Sequence, residues 1–421
     1  MKKLGIMFVL LCLSFSSRQL IAADQITIDL ARMFSRDIFE LNGIPYLKPM
    51  VESINATSNS RFFNQAFIPS EVEKPYFKVG IHGMLGFVRD DQKTYKPTMP
   101  SQAFNFNDLA KYGTFQIDIL HPENSIIIIN DTAGLIYYAL KTVVYRGIEQ
   151  NRIPVPDKAA TILGNRYTQF ILNTMVLDSL VKEDLIFGYL PKGLQDTILT
   201  TISQFPTNFT LPQGGNINTM IAGVPQIEIG SLWGTELLIR FIPPVNLGEN
   251  IGDFAFWGLG LKHSITQYFE NPPLDLAVQG VYQGTHLKNK IGVTNSELTA
   301  NATILNFNIN ASKNFKDIIE VYSGFSFEYI QINSEFKYYL PVEVQAQLGM
   351  LRYDPSIPII YPPEPPEYPG DTDPQTAVIE LNDNNFKWVI GLAKQVGPVR
   401  FFLDFNISKF NIFTGGIEYR F

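Results

Sequence analysis

Histidine is the side chain best suited to act as a base or a metal ligand near neutral pH, and this sequence has four. They are scattered, without a pair at metal-ligand spacing, at His82, His121, His263 and His286. His263 next to Ser264 suggests a base and a nucleophile, but we expect a strand at a wall or rim there. No G-x-S-x-G, H-E-x-x-H or phosphate-binding loop occurs, and the G-L-G-L of Gly258–Leu261 falls inside a predicted strand. The sequence therefore predicts no catalytic residue, metal ligand or cofactor, and we expect a protein that is not an enzyme.

One pair of opposite charges does have suggestive spacing. Glu236 and Arg240 are four residues apart, which places them on the same face of one predicted strand. We expect them to form a charge pair in the lumen of a barrel, where it would hold an N-terminal hatch. The alternative is that both side chains are solvated.

The strand that organises the chain is its last eleven residues, 411–421. Apolar and polar faces alternate there, and about eleven residues is the length that a tilted strand needs to cross a bilayer. A chain that ends in this way resembles bacterial outer-membrane β-barrels, whose closing strand ends on a phenylalanine read by the barrel assembly machinery. The residues that we assign to barrel closure and to this assembly signal are Phe413, Ile417, Tyr419 and Phe421. The alternative is an edge strand of a soluble sheet.

The composition is typical of a barrel with aromatic girdles. Charged residues make up 17% of the chain against a usual value of about 25%, and aromatic residues make up 13%. The net charge of -7 is spread along the chain without a basic patch, so we expect no nucleic-acid partner.

Residues 1–23 predict a signal peptide, with an apolar run at Leu4–Phe15 and cleavage near Ala23. The single cysteine, Cys12, lies within this segment, so a disulfide in the mature chain is excluded. No later stretch reaches the roughly 18 apolar residues of a membrane helix, and the nearest, Ile126–Tyr145, is interrupted by polar residues. If the exported chain enters a membrane, it must do so as a closed barrel. Only a closed barrel gives the backbone N–H and C=O groups of every strand a hydrogen-bond partner in lipid.

The region after the signal, residues 24–70, predicts a helical hatch or plug. Apolar residues recur at helical spacing in Ile28–Leu41 and again in Tyr46–Ser58, and Gly43 and Pro45 separate the two runs. The alternative is an amphipathic pair of helices packed on any sheet.

The middle of the chain is irregular. Phe77–Val88 predicts the first strand, and Gly134–Tyr145 fits a strand or a helix. Helical spacing over Arg166–Leu190 and again from Leu194 to Phe205 predicts a helical insertion at about 165–205, on the periplasmic side or in the lumen. Leu211–Gly223 resembles a loop.

From residue 224 onward the pattern is almost entirely β. The predicted strands are Pro225–Gly230, Thr235–Ile242, Phe254–Gln267, Leu274–His286, Glu297–Ile309, Asp317–Gln331, Glu335–Leu351, Asn385–Gln395, Arg400–Ser408 and Asn411–Phe421. Leu305, Phe307 and Ile309 alternate with asparagines, as in a strand with a lipid face and a lumen face. We therefore predict an all-β membrane fold: a barrel of about 12–14 antiparallel strands over residues 71–421, with a Pro-rich external loop at 354–384.

Several segments resemble a known family. The run PQIEIGSLWGTELLIRFIP at Pro225–Pro243, together with Gly258–Tyr268 and Leu274–Tyr282, is similar to a family of uncharacterised bacterial outer-membrane barrel proteins built on a domain of unknown function. A hatch followed by a barrel is also distantly similar to the long-chain fatty acid transporter superfamily, although the Asn-Pro-Ala motif expected in the hatch is missing.

The resemblance implies a place in the outer membrane of a Gram-negative bacterium and, by analogy alone, passage of small hydrophobic molecules. The expected partners are outer-membrane lipid, the barrel assembly machinery and a small hydrophobic ligand. Two alternatives stay open. One is a non-transport scaffold or component of a secretion apparatus, and the other is a secreted soluble β-protein.

Overall fold

The structure is a computed structural model that describes residues 23–62, 65–116, 126–184, 187–246, 252–291, 296–316, 318–351 and 370–421. The predicted signal peptide with Cys12, residue His121 and most of the Pro-rich loop lie outside these ranges.

Strands dominate the described chain. They are β1 (Tyr76–Phe87), β2 (Thr94–Tyr95), β3 (Gly113–Gln116), β4 (Ile126–Ile129), β5 (Ala159–Ala160), β6 (Gln169–Ile171), β7 (Asn208–Thr210), β8 (Thr219–Leu232), β9 (Thr235–Asn246), β10 (Asp253–Ser264), β11 (Asp275–Ile291), β12 (Ser296–Phe315), β13 (Ile319–Tyr338), β14 (Gln375–Val396), β15 (Val399–Ile407) and β16 (Ile412–Arg420). The helices are α1 (Gln25–Ser58), α2 (Thr132–Glu149), α3 (Thr174–Lys182), α4 (Lys192–Gln204) and α5 (Val342–Gln347).

Strand β1 and strands β8 to β16 form one closed antiparallel barrel. The last strand closes it, because β16 pairs with β1 in the register Gly83↔Gly415, and β1 pairs on its other side with β8. Two predictions are confirmed: a closed barrel, and closure between the carboxy-terminal strand and the strand near Phe77–Val88.

The barrel has ten strands, so the predicted number of 12–14 is wrong. One cause is β13, which continues from Ile319 to Tyr338 where two strands were expected. Alternate residues such as Ile332 and Ser334 keep facing inward across the expected break, and pairing with β14 continues through it without a turn. The expected second strand ran on to Leu351, but Val342–Gln347 is helix α5.

The two faces of the barrel wall differ as predicted. On β12, Leu305, Phe307 and Ile309 are exposed on the outside, whereas the asparagines between them are buried in the lumen. The same alternation continues along β14, whose inward residues are buried and whose outward residues are exposed over nearly its whole length. The outer surface therefore carries the band of apolar side chains that outer-membrane barrels present to lipid.

The two ends of the barrel are built differently. At one end, here the turn end, strands are joined by the connections 233–234, 265–274, 316–318 and 397–398, and the carboxy-terminal residue lies there too. At the other end, here the cap end, the chain leaves β1 for residues 88–218 and leaves β13 for residues 339–374. The helical insertion and the Pro-rich connection thus leave the same end. The insertion therefore cannot be periplasmic if the Pro-rich loop is external, so the periplasmic form of that prediction and the external loop exclude each other.

Helix α1 is one helix of 34 residues that includes Pro45 and Pro49, so the predicted break between two helices is wrong. At 1.5 Å per residue it is about 51 Å long, which exceeds the roughly 30 Å hydrocarbon core of a bilayer. It starts at the cap end, where the amide of Ala23 donates to the carbonyl of Leu348. It then descends through the barrel. The chain reaches the turn end at Pro69, whose carbonyl accepts from Ser231.

A compact helical layer covers the cap end. We call it the helical cap: residues 25–42 of α1 together with α2, α3, α4 and α5 and the short strands β6 and β7 that pack with them. Its core contains Leu30, Phe34, Leu140, Phe170, Leu177, Ile202, Phe209 and Val344. Gly134–Tyr145 is helical, and the helix expected at Leu194–Phe205 is confirmed. The helix expected over Arg166–Leu190 is shorter, since Gln169–Ile171 is a strand and only Thr174–Lys182 is α-helical. Among the described residues, the helices are all too short or too polar to cross a membrane.

Candidate functional site

The lumen of the barrel is filled by the chain itself. Residues 43–62 and 65–70, here the lumen segment, pass between the strands, and polar side chains of the wall converge on them. The wall residues are Lys78, His82, Gln226, Glu228, Glu236, Arg240, Lys262, Gln279, Gln283, Asn306, Asn308, Glu328, Asn385, Lys387, Arg400, Asp404, Asn406 and Glu418, all of them buried. Side chains that line an aqueous channel are wet, so this burial marks a closed lumen.

Arg61 follows α1 in the lumen segment, and its side chain is fully buried. Its Nη1 donates to Asp404 on β15 and, at 2.8 Å, to the hydroxyl of Tyr322 on β13. Its Nε donates to Nδ1 of His82 at 3.2 Å, so that ring nitrogen carries no proton. The guanidinium carbon also lies 3.4 Å from the centre of the Phe402 ring, which is cation–π geometry. A single side chain therefore joins the lumen segment to three strands.

Arg240 on β9 holds the same segment from the wall. Nη1 donates to the carbonyl of Ser58 at 2.9 Å, and Nη2 donates to that of Ser60 at 2.7 Å. These carbonyls belong to the end of α1 and the residues after it, where main-chain acceptors lack helical partners. The guanidinium carbon also lies 4.0 Å from the centre of the Phe62 ring. Arg240 thus caps the helix inside the barrel.

Glu236 lies on the same lumen face but bonds other groups. It accepts from the Tyr76 hydroxyl at 2.5 Å, and it forms ion pairs with Lys78 on β1 and, at 2.6 Å, with Lys262 on β10. Lys78 also pairs with Glu228 at 3.2 Å. The structure therefore gives Glu236 and Arg240 separate partners among the described residues: Glu236 ties strands together, and Arg240 bonds the lumen segment.

A further ion pair lies between β13 and β14. Lys387 Nζ is 2.6 Å from Glu328 Oε1, and both side chains are fully buried. The same ammonium donates to the carbonyl of Ala56 in α1 at 2.9 Å, while Asn385 donates to the other carboxylate oxygen at 2.6 Å. A buried charge pair is tolerated only when such additional hydrogen bonds satisfy it.

The candidate catalytic side chains are not brought together. His263 and Ser264 point to opposite faces of β10. At the turn end, His263 bonds Thr235 of β9 at 2.8 Å and Tyr268, in the connection after β10, at 3.0 Å. His286 bonds Asn301 on the outer face. In the described ranges, no group of three or more acidic, histidine or cysteine residues is placed to hold a metal ion.

The closing-strand residues all lie on the outer side. Phe413, Ile417, Tyr419 and Phe421 are exposed, the ring of Phe413 contacts Phe405, and the amide of Phe421 donates to the carbonyl of Phe77. Their side chains therefore face the surroundings of the barrel and not its lumen.

Polar contacts join the rest of the cap to the first half of α1. The hydroxyl of Tyr137 on α2 donates to Asp37 on α1 at 2.6 Å, and Arg32 pairs with Asp371 at 2.6 Å. Burial raises the pKa of Tyr137, and the hydrogen bond to Asp37 raises it further. Because α1 belongs to both the cap and the lumen segment, these contacts fix the cap to the barrel.

The whole chain, residues 1–421, matches a family model described as a family of unknown function, DUF6588. The chain belongs to the DUF6588 family. No curated protein matches the sequence of this DUF6588 member significantly. The similarity to fatty acid transporters stays a prediction.

Among solved structures, this DUF6588 protein is similar to a loop-deletion mutant of OmpT, an outer-membrane protein of Vibrio cholerae, at 12% identity over 83% of this chain and 99% of that one, with a TM-score of 0.18. It is also similar to the outer-membrane protein OpdK of Pseudomonas aeruginosa, at 9% identity over 83% and 100% of the chains, with a TM-score of 0.13. A BenF-like porin of Pseudomonas fluorescens matches at 9% identity over 83% and 98%, also with a TM-score of 0.13. Likenesses this low carry no argument about the activity of the DUF6588 protein.

Proposed function

We propose that this protein is an outer-membrane anchor that presents a helical cap at the cell surface, with its lumen closed by its own chain. The observation that carries the proposal is the continuity of α1. Its first part lies in the core of the cap through Leu30 and Phe34, and its last part is held in the barrel by Arg240 and Lys387. One rigid helix therefore links the presented domain to the membrane. This is a form of the scaffold role named among the sequence-based alternatives.

The direction of presentation follows from the connections. Outer-membrane barrels have short turns on the periplasmic side and longer loops outside. Every connection at the turn end is ten residues or shorter, and Phe421 lies there, whereas the two longest connections, 88–218 and 339–374, leave the cap end. This assignment puts the cap outside the cell.

Lipid is the partner of the outer face. Side chains such as Ile81, Phe307 and Leu403 are more than half exposed there, an arrangement that costs free energy in water and is favourable in a bilayer. The same exposure argues against a secreted soluble protein. The outward-facing Phe413, Ile417, Tyr419 and Phe421 are available to the assembly machinery as the closing-strand signal.

Passage of small hydrophobic molecules through the barrel would require the lumen segment to move. The contacts of Arg61, Arg240 and Lys387 all oppose that movement. Each hydrogen bond made by these charged side chains contributes roughly 1.5–3 kcal/mol, which favours the closed state. Anchoring is therefore better supported than transport.

Planar-bilayer recording tests the closed lumen. Purified protein reconstituted into lipid is expected to give no steady ionic current, because the wall side chains are buried against the lumen segment. A constant conductance from the wild-type protein would contradict the anchor and favour passage.

A further inference from the structure

The barrel wall separates between β8 and β9 on the side of the cap end. The ladder between these strands ends at the pair Gln226↔Arg240, although both strands continue beyond it toward the cap end. On their other sides, β8 stays paired with β1 and β9 stays paired with β10 as far as the cap-end residue of each strand. We call this opening the seam. It is bordered by residues 219–225 of β8 and 241–246 of β9.

Three prolines account for the seam. Pro225 borders it on β8, and Pro243 and Pro244 border it on β9. A proline has no N–H to donate to a ladder, so prolines are found at sheet edges and bulges. The two prolines of β9 also lie opposite the single residue Ala255 of β10, and a bulge of this kind bends the strand that carries it. The same prolines oppose pairing of either edge with a strand of another protein.

The seam lies within the apolar band of the outer wall. Ile221 on β8 and Phe241 on β9 face outward beside it and are 80% and 57% exposed. Leu85 of β1 pairs with Ile221, but it has a paired strand on both sides and is only 37% exposed. The flank of β8 is therefore uncovered where its other side is closed by β1.

The inner wall behind the seam is apolar, unlike the polar lumen around Arg61 and Arg240. Four inward-facing side chains there are only partly buried: Met220, Ala222, Ile242 and Phe254. They pack on a buried apolar cluster that consists of Ala56, Met84, Val224, Phe256, Phe410 and Ile412. Since Ala56 belongs to α1, the seam leads to packed apolar side chains and not to an open channel.

We propose that an acyl chain of a bilayer lipid, from the leaflet nearest the cap end, enters the seam. The chain would pack against Met220, Ala222 and Ile242 on the inner side and against the flank of Ile221. A hydrocarbon chain needs no hydrogen-bond partner, and it gains dispersion contacts along an apolar lining. A peptide strand is a poorer occupant, because the prolines offer it no donors.

The proposal rests on the lipid-facing outer surface of the proposed anchor. It does not depend on which end of the barrel faces the cell surface or on the conductance of the lumen. A failed conductance or topology test would therefore leave the lipid site standing.

Photolabelling of the full chain in phosphatidylcholine nanodiscs tests the site. A small fraction of the lipid carries a photoactivatable diazirine in its acyl chain, and mass spectrometry of peptides locates the attached lipid. We expect label on the inward-facing Ala222 and Ile242 and on the outward-facing Phe307. Val281 should stay unlabelled, because it faces inward from a fully paired part of the wall.

A bulky side chain inside the seam should exclude the lipid. Ala222→Trp places an indole between the strands, and Ile227→Trp adds the same side chain to the outer face of the paired part of β8 as the matched control. In Ala222→Trp the label on Ile242 should fall about tenfold or more, because the indole fills the space that the acyl chain needs. The label on Ile242 in Ile227→Trp, and that on Phe307 in both variants, should not change.

Label on Phe307 without label on Ala222 and Ile242 in the wild type would overturn the lipid site and leave the anchor intact. Absence of label from Phe307 as well would overturn both. Undiminished label on Ile242 in folded Ala222→Trp would also overturn the site. If Ala222→Trp does not fold, Ala222→Leu replaces it with an expected decrease of about threefold, and an unchanged label would again overturn the proposal.

Discussion

Nη2 of Arg240, on the barrel wall, donates a 2.7 Å hydrogen bond to the main-chain carbonyl of Ser60, which lies in the lumen segment. A charged side chain of the barrel wall thus forms a hydrogen bond with the protein's own backbone inside the lumen. Since the neighbouring carbonyl of Ser58 is held by the same guanidinium, one residue fixes the end of α1.

Arg240→Met should loosen the lumen segment. The substitution keeps the length of the side chain but removes its hydrogen bonds, leaving buried carbonyls without donors at a cost of roughly 2–5 kcal/mol. We expect faster hydrogen exchange of the backbone amides around Ser60. We also expect the folded barrel, which is followed as the band of unheated protein on gels, to unfold at a lower temperature. Lys337→Met, at an exposed position, is the control and should leave both unchanged. Equal exchange in the two variants would show that Arg240 does not hold the segment.

The Glu328–Lys387 pair should behave as a unit. Either Glu328→Leu or Lys387→Leu leaves one buried charge without its partner, and we expect each to cost about 3–5 kcal/mol. The double variant removes both charges and should be more stable than the sum of the single effects implies. A double-mutant cycle on unfolding midpoints measures this. Strictly additive losses would contradict a coupled pair.

The outer face gives a test of membrane exposure. Phe307 points outward near the middle of β12, so Phe307→Arg should destabilise the inserted barrel by roughly 2–4 kcal/mol, as at a bilayer midplane. Asn301→Arg, on the same face of the same strand but nearer the cap end, should cost about 0–1 kcal/mol, as at an interface. The folding free energies of the two variants in lipid vesicles can be compared from the migration of folded and unfolded protein on gels. Equal losses would mean that Phe307 does not face lipid.

Alkaline pH should weaken the cap through Tyr137. Its folded pKa lies above the unfolded value of about 10, so the folded state holds the proton longer and stability falls as pH rises above about 10. Unfolding midpoints at pH 9 and pH 11 should show a smaller drop in Tyr137→Phe than in the wild type. At pH 9 the variant itself should lose about 1 kcal/mol. Tyr145→Phe, whose ring is partly exposed, is the control. An unchanged pH dependence in Tyr137→Phe would contradict this role.

The barrel wall could be predicted from sequence because apolar and polar residues alternate along each strand and so identify its two faces. The alternation of Phe307 with Asn306 and Asn308 needs no knowledge of neighbouring strands, and neither does the aromatic end at Phe421. Strand number was harder to predict, since nothing local shows whether β13 ends near Gln331 or continues to Tyr338.

The lumen contacts could not be predicted in the same way. Arg61 and Asp404 are 343 residues apart, and only closure of the barrel around α1 brings them together. The predicted pair of Glu236 and Arg240 relied on strand spacing, which identified the shared face but not the partners across the lumen. The one available signal for Arg61 was a cation directly after a helical run, flanked by Ser60 and Phe62.

Cysteine labelling of intact cells distinguishes a cap that lies outside the cell, with the turn end in the periplasm, from the reverse orientation. Met175→Cys in the cap and Glu270→Cys in the turn end are both exposed positions, and the parent chain controls for Cys12. With a membrane-impermeant maleimide, we expect Met175→Cys to be labelled on intact cells and Glu270→Cys only after the outer membrane is broken. Labelling of Glu270→Cys but not of Met175→Cys on intact cells would show that the cap faces the periplasm, opposite to the proposed orientation.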